Sequence, residues 1–329
     1  MVEPIRHKHI QIDKKIFESF FEECGTYFSQ DLNTSASPIW TRVINKETGT
    51  EVFDSIEKKD IDKLKELYEE YYVHGISEGA SSGKALSNEK YRHDKSQRNI
   101  FRIKPLAVHL EDYKDNEDIV VNDYMKKIFE RYKIPNEINI GQTWGWNIGD
   151  NFVHFELIDY LYFLDIIQKI LKEYNLDKTF FIGDGSGLLS CLLYNNYNIQ
   201  KSTHVDLSHL LLRQYINNSH CDVDVKHIYA ENFDGDMKHD TQILINQDSF
   251  PEMPLTSMEK YIKNMDDNNV PFVLSYNIEN GTEFNPNHID YRKVLSDNGY
   301  ESVWRHFSTV RPPYVIELFY KGDNDVSNG

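Results

Sequence analysis

Apolar residues change their spacing near residue 155. Before it, helical stripes are short and interrupted. Ile16, Phe17, Phe20, Phe21 and Cys24 line one face of a helix over 13–24. Asp60 stands where a cap belongs, ahead of Ile61, Leu64, Leu67, Tyr68 and Tyr71. Residues 75–83 are rich in Gly, Ser and Ala and read as a loop, and a further helix is expected over 122–132, stopped before Pro135. Beyond residue 155 strands and helices alternate. A helix over 155–174 leads to a strand at 179–183, a helix at 188–194, and a second strand at 202–206. A helix capped by Ser208 and a strand at 225–229 follow. Then come a strand at 241–246, a helix at 256–265, a strand at 270–276 and a helix near 287–298. The chain closes with two strands, 302–307 and 314–320, around Pro312-Pro313.

Alternating strands and helices predict an α/β fold with a doubly wound, mostly parallel sheet. The last two strands have no helix between them and predict an antiparallel terminal hairpin. Residues 1–150 read as a mainly helical cap or substrate subdomain, 151–322 as the α/β domain, and 323–329 as a disordered tail.

The first strand of the regular half runs into Gly183-Asp184-Gly185-Ser186-Gly187, and Asp206 ends the second strand nineteen residues after Gly187. Glycines at this turn let backbone approach a ligand, and the helix that follows offers free N–H groups to an anion. An acid at the end of the neighbouring strand accepts hydrogen bonds from ribose hydroxyls. The plainer alternative for Asp206 is a turn or capping aspartate. The fourth strand ends in Asn246-Gln247-Asp248-Ser249-Phe250-Pro251-Glu252, at the same sheet edge. Asn246 and Gln247 are candidates to hold a cofactor, and Asp248 and Glu252 are candidate bases. A polar loop capping the next helix is the alternative. Asn277, Glu279 and Asn280 follow the fifth strand as candidate substrate contacts. Trp144 and Trp146 either stack on a sugar or anchor the N-terminal part on the sheet. His154, His288 and His306 read as surface or satisfied histidines, and Arg311 as a solvated hairpin residue.

Composition narrows the partners. The chain of 329 residues carries 36 basic and 53 acidic side chains, a formal charge of −17, which disfavours a phosphate-tracking nucleic-acid surface. Hydrophobic residues make up 40% and aromatics 13%, enough for a sizeable core. Cys24, Cys191 and Cys221 are widely spaced without CxxC, so neither a zinc site nor a disulfide framework is expected. No apolar stretch reaches membrane-spanning length and the N-terminus is polar, from which a cytoplasmic setting without membrane association is expected.

The order of these pieces resembles the class I S-adenosylmethionine-dependent methyltransferases over about residues 155–320. More narrowly it looks like a family of sugar O-methyltransferases. The narrower match is carried by Gly141-Gln142-Thr143-Trp144-Gly145, Ile182-Gly183-Asp184-Gly185-Ser186-Gly187-Leu188, Val205-Asp206-Leu207 and the segment from Ile245 to Met253. The resemblance implies a seven-stranded Rossmann-like sheet whose last strand is reversed. It implies S-adenosyl-L-methionine as cofactor, with Gly183, Gly185 and Gly187 beside its methionine part and Asp206 on its ribose. Glu231 and Asn232 would approach the adenine. The substrate implied is a sugar hydroxyl, free, nucleotide-linked or in a glycan. Some sugar methyltransferases hold vicinal hydroxyls with a divalent cation, which makes Asp248 and Glu252 alternative ligands. One departure is Phe181, where the class commonly has an acid; Asp184 inside the loop is the candidate substitute. The rival expectations are a dinucleotide-dependent oxidoreductase and a catalytically silent binding protein on the same fold.

Overall fold

A computed structural model describes residues 5–25, 47–74, 76, 130–148, 151–154, 156–233, 237, 240–278, 290–308, 311 and 313–322. The expected loop at 75–83, most of the helix at 122–132, Glu279, Asn280, His288, Pro312 and the tail 323–329 lie outside the described residues. So do the side chains of Trp146 and His154.

Seven strands form the main sheet: β4 (Lys178–Ile182), β5 (Lys201–Asp206), β6 (Asp224–Tyr229), β7 (Ile243–Gln247), β8 (Phe272–Ile278), β9 (Glu301–Phe307) and β10 (Tyr314–Tyr320). Their spatial order is β6-β5-β4-β7-β8-β10-β9. The first five are parallel, and β10 inserts antiparallel to both β8 and β9. Strand order therefore reverses between β4 and β7, which opens a crevice at their carboxyl ends.

The central strands are apolar on both faces because helices cover both. Phe181, Ile243 and Ile245 pack under α5 (Leu157–Tyr174) and α6 (Leu188–Asn196). Phe180, Ile182 and Leu244 point the other way, against α8 (Leu255–Asp267) and α9 (Tyr291–Asp297). Phe180 and Phe181 are both buried, each contributing roughly 1.5–3 kcal/mol by leaving water.

The N-terminal helices α1 (Lys14–Cys24), α2 (Glu47–Lys58), α3 (Ile61–Glu69) and the single turn α4 (Tyr71–His74) share a third apolar cluster with Leu211, Leu212 and Ile216 of α7 (Ser208–Asn218). Asp60 caps α3 as expected, accepting from Lys63 N, and Asp13 caps α1, accepting from Lys15 N. Arg213, fully buried on α7, donates to Ile140 O at 2.6 Å and lies against the rings of Tyr71 and Tyr72. At the sheet edge, α1 takes the outward-facing groups of β6. Glu23 accepts from His227 N at 2.8 Å, and Cys24 Sγ donates to His227 O at 3.6 Å. This occupies backbone groups that would otherwise be open to strand addition.

One element was not expected, and one local expectation is corrected. Residues 144–146 lie in a strand of a small sheet, β1 (Ile5–Arg6), β2 (Trp144–Ile148) and β3 (Asn151–His154), where Ile5 pairs with Gly145. Ser208 is the first residue inside α7; the cap position belongs to Leu207, with no side-chain bond. No helix of the described residues is long and apolar enough to cross a membrane.

Candidate active site

Three glycines shape the turn after β4, and all three have positive φ: +69° at Gly183, +59° at Gly185 and +73° at Gly187. Their surroundings differ. A Cβ on Gly183 would collide with the Ser249 side chain, and one on Gly187 would stand 2.7 Å from Gln214 Cα. Only Gly185 opens on space, with nothing within 4 Å. The outer two glycines are thus demanded by protein packing, whatever a ligand adds to that demand. Gly185 has the vacant backbone surface that such a ligand needs.

Asp206 sits where expected, at the end of β5, but it also holds the loop. Oδ2 accepts from Gly185 N at 3.2 Å and Gln214 Nε2 at 2.5 Å, and Oδ1 accepts from Leu207 N at 2.8 Å. An ionised carboxylate offers about four acceptor sites, so one remains, enough for one ribose hydroxyl and not two. Burial pushes Asp206 up to about 7 against the pull of these bonds, and Glu231 adds to the rise. Asp184 faces the interior behind the loop, with Oδ2 accepting from Ser190 N at 3.4 Å. Burial pushes it up to about 8. It is absent from the cleft wall, so it does not substitute for the missing acid on the ligand side.

Phe181 is buried, and its ring stacks on that of His204 at 4.8 Å; His227 continues the stack at 5.4 Å. The three residues are neighbours in register across β4, β5 and β6. Burial pushes His204 down to about 3, so the ring is neutral. It meets Tyr194 Oη at 2.5 Å and Gln214 Oε1 at 2.9 Å.

The β7 turn is clipped to β4. Asn246 Nδ2 donates to Ile182 O at 2.9 Å and to Ser249 Oγ at 2.5 Å. Its Oδ1 accepts from Phe250 N and Asn277 Nδ2. Asn246 and Asn277 are both fully buried, and Asn277 also bonds Ser275 Oγ at 2.6 Å. Neither reaches the cleft, which corrects the cofactor expectation for the first and the substrate expectation for the second. Gln247 is buried one position further and is likewise absent from the cleft wall. Asp248 adopts the left-handed conformation, φ +60°. Its Oδ2 accepts from Arg311 Nη2 at 2.6 Å and its Oδ1 from Tyr314 Oη, while the guanidinium lies over the Tyr314 ring at 3.8 Å. Arg311 is therefore an ion-pair partner, not a solvated hairpin residue. Protein groups thus take two of the carboxylate's roughly four acceptor sites.

A cleft open to solvent lies at the carboxyl ends of β4, β5 and β7. Gly183, Asp206, Ala230, Ser249, Glu252 and Lys260 are on its wall. Of the residues expected from sequence, Gly183, Asp206 and Glu252 meet here. Glu231 and Asn232 lie in the turn after β6, whose Ala230 faces the cleft. Trp144 is buried in the core beneath the Arg6 guanidinium, so it anchors and does not stack on a ligand. His306 meets Tyr162 Oη at 2.8 Å, a satisfied histidine as expected. Missed from sequence were Gln214, Lys260 and Tyr261. Gln214 left little signal, since it follows Arg213 as the second of two polar residues between Leu212 and Tyr215.

No protein-family model matches the chain, and no curated protein matches it. Solved structures do. An O-methyltransferase family protein from Burkholderia thailandensis matches at 9% identity over 52% of this chain and 58% of its own, with a TM-score of 0.40. The magnesium protoporphyrin IX methyltransferase of Synechocystis, solved with S-adenosylmethionine bound, matches at 14% identity over 64% of this chain and 100% of its own, TM-score 0.40. A small RNA methyltransferase matches at 15% identity over 50% of this chain and 25% of its own, TM-score 0.39. The chain spans little more than half of the Burkholderia protein's length. Likeness at this level concerns fold alone; the strand order and the cleft described above stand on their own geometry.

Proposed function

We propose that this protein is an S-adenosylmethionine-dependent O-methyltransferase whose acceptor is a sugar hydroxyl, free, nucleotide-linked or in a glycan. The observation that carries the reading is Asp206. It lies at the end of the strand next to the glycine turn, on the wall of a cleft at the point where strand order reverses. The reversed β10 between β8 and β9 also favours it over the dinucleotide reading, whose second half would repeat parallel units.

Gly185 presents open backbone to the cofactor's amino-acid end, and Asp206 accepts one ribose hydroxyl. S-adenosylmethionine, when bound, supplies an electrophilic methyl group on sulfonium. The chain's own work is to align the acceptor hydroxyl, exclude water and take one proton. Glu252, on the cleft wall, is the base; Asp248, tied to Arg311 and Tyr314, positions the turn that carries Glu252. The formal charge of −17 favours an uncharged or locally charged small acceptor over a nucleic acid.

Calorimetric titration with S-adenosylhomocysteine, with NAD as control, tests the cofactor half. Micromolar binding of the first alone, weakened at least tenfold by Asp206→Ala, is expected, about the value of one charged hydrogen bond. NAD binding alone, or no binding of either, overturns it. Mass-spectrometric screening of sugars for methyl gain tests the acceptor. Binding without turnover on any sugar or glycan would move the reading to a silent binding protein, for which Phe181 in the usual acid position is the specific support.

A further inference from the structure

We propose that Cys191, His220 and Cys221 form a binding site for a thiophilic divalent cation, and that Zn²⁺ is the ion its geometry fits. The site is separate from the cleft and does not rest on the methyltransferase reading. Cys191 lies buried in α6, while His220 and Cys221 are consecutive residues just past the end of α7. Cys191 Sγ stands 3.9 Å from Cys221 Sγ and 3.6 Å from His220 Nε2, and all three ligand atoms lie within 4.8 Å of one another.

The two separations from Cys191 match a tetrahedral ion. With Zn–S about 2.3 Å and Zn–N about 2.05 Å, tetrahedral angles put two sulfurs about 3.8 Å apart and sulfur and nitrogen about 3.5 Å apart. A disulfide would need the sulfurs to close to about 2.05 Å. Two thiolates neutralise the ion's charge, which suits a half-buried position, and thiolate with imidazole selects Zn²⁺ over Mg²⁺ or Ca²⁺. A supporting donor is present: Asn195 Nδ2 reaches Cys221 Sγ at 3.4 Å and the Cys191 carbonyl at 2.8 Å. Such outer contacts orient ligating sulfur. The fourth position is open to water.

From sequence a zinc site was not expected, because the cysteines show no CxxC. The fold assembles one from residues about thirty positions apart, where α6 and α7 run together. Cys191 N donates to Gly187 O at 3.2 Å, so the site lies one helical turn from the glycine loop. An ion here staples the start of α6 to the end of α7, beside the bond from Asn218 Nδ2 to Ser190 Oγ at 3.2 Å.

The test is Co²⁺ titration of the full chain, reduced and stripped with a chelator. One ion per chain is expected to bind, with thiolate-to-cobalt absorption in the near ultraviolet and intense visible bands, and Zn²⁺ is expected to displace it. Cys221→Ser and His220→Ala, confirmed folded by circular dichroism, should each bind at least about 100-fold more weakly, since even loss of an outer-sphere contact costs 10–100-fold. Cys24→Ala should bind as the parent does. Absence of the charge-transfer band in the parent protein, or its survival at full affinity in both ligand variants, overturns the proposal.

Discussion

Gln214 Nε2 donates to Asp206 Oδ2 at 2.5 Å and to Gly185 O at 3.1 Å, and these bonds set the proton positions behind the glycine loop. With both acceptors on the amide nitrogen, Gln214 Oε1 must face His204 Nδ1, 2.9 Å away. The imidazole is neutral, so its proton sits on Nδ1 and Nε2 accepts from Tyr194 Oη. One amide therefore connects the acid of β5, the glycine turn and the ring stack under it. Gln214→Leu preserves bulk but leaves buried His204 Nδ1 without its partner and removes one donor each from Asp206 Oδ2 and Gly185 O. It is expected to destabilise the fold by about 3 kcal/mol, the cost of leaving such groups unpaired. Urea unfolding measures this; a change below about 1 kcal/mol would mean the network is not formed in solution.

The three glycines should respond unequally to alanine. Gly185→Ala meets open space and carries only the left-handed backbone cost, about 1–2 kcal/mol. Gly187→Ala adds a clash with the Gln214 backbone, which no rotamer change relieves, and should cost more. Gly183→Ala clashes with the Ser249 side chain, so Ser249→Gly should restore part of its loss. Equal losses in the three single variants, with no rescue, would contradict the packing.

Burial raises Asp184 to about 8 and Asp206 to about 7, and lowers His204 and His209 to about 3. From about pH 4 to 6.5 the folded chain holds two carboxyl protons that the unfolded chain has released. Over the same range it lacks two imidazole protons that the unfolded chain keeps, and the effects oppose. Above 6.5 the unfolded imidazoles are neutral and only the carboxyl difference remains. The folded state then binds more protons, so stability falls as pH rises from about 6.5 to 8. Asp184→Asn removes the larger contributor and should flatten this fall. Calorimetric melting at pH 6.5 and about 9 compares the slopes; identical slopes would show that Asp184 ionises normally.

Asp248 and Arg311 form a half-buried ion pair with Tyr314 as third member. A double-mutant cycle of Asp248→Ala and Arg311→Ala should return a coupling of about 1–2 kcal/mol. Once an acceptor is found, Glu252→Gln should lower turnover by at least about 100-fold, the usual contribution of a positioned base. Its S-adenosylhomocysteine affinity should stay close to the parent's. A larger loss in Asp248→Asn than in Glu252→Gln would reverse the roles assigned to the two acids.

The main sheet was legible because its signals are local. Buried parallel strands such as Thr179–Ile182 need continuous apolar residues, helices between them need a 3.6-residue period, and the absence of a helix between 307 and 314 required a hairpin. The small sheet was not legible, since Ile5 finds Gly145 across 140 positions and neither segment carries its own strand signal. Within the site, Asp206 and the glycine pattern were visible from spacing. The direction of Asn246 and Asn277 was not. An asparagine at a strand's end reads the same whether it faces solvent or a neighbouring main-chain carbonyl, and here Ile182 O took the first of them.

The order of strands and helices, the glycine turn at the end of the first parallel strand and the acid at the end of the second follow from this sequence alone. Each depends on a periodicity or a backbone requirement that acts within a few residues. Tertiary structure alone decided that Gly183 exists for Ser249 and Gly187 for Gln214, that Asp248 is spent on Arg311, and that Cys191 meets His220 and Cys221. Those outcomes depend on which side chains two separately formed elements bring within a few ångströms, and no local pattern encodes that distance.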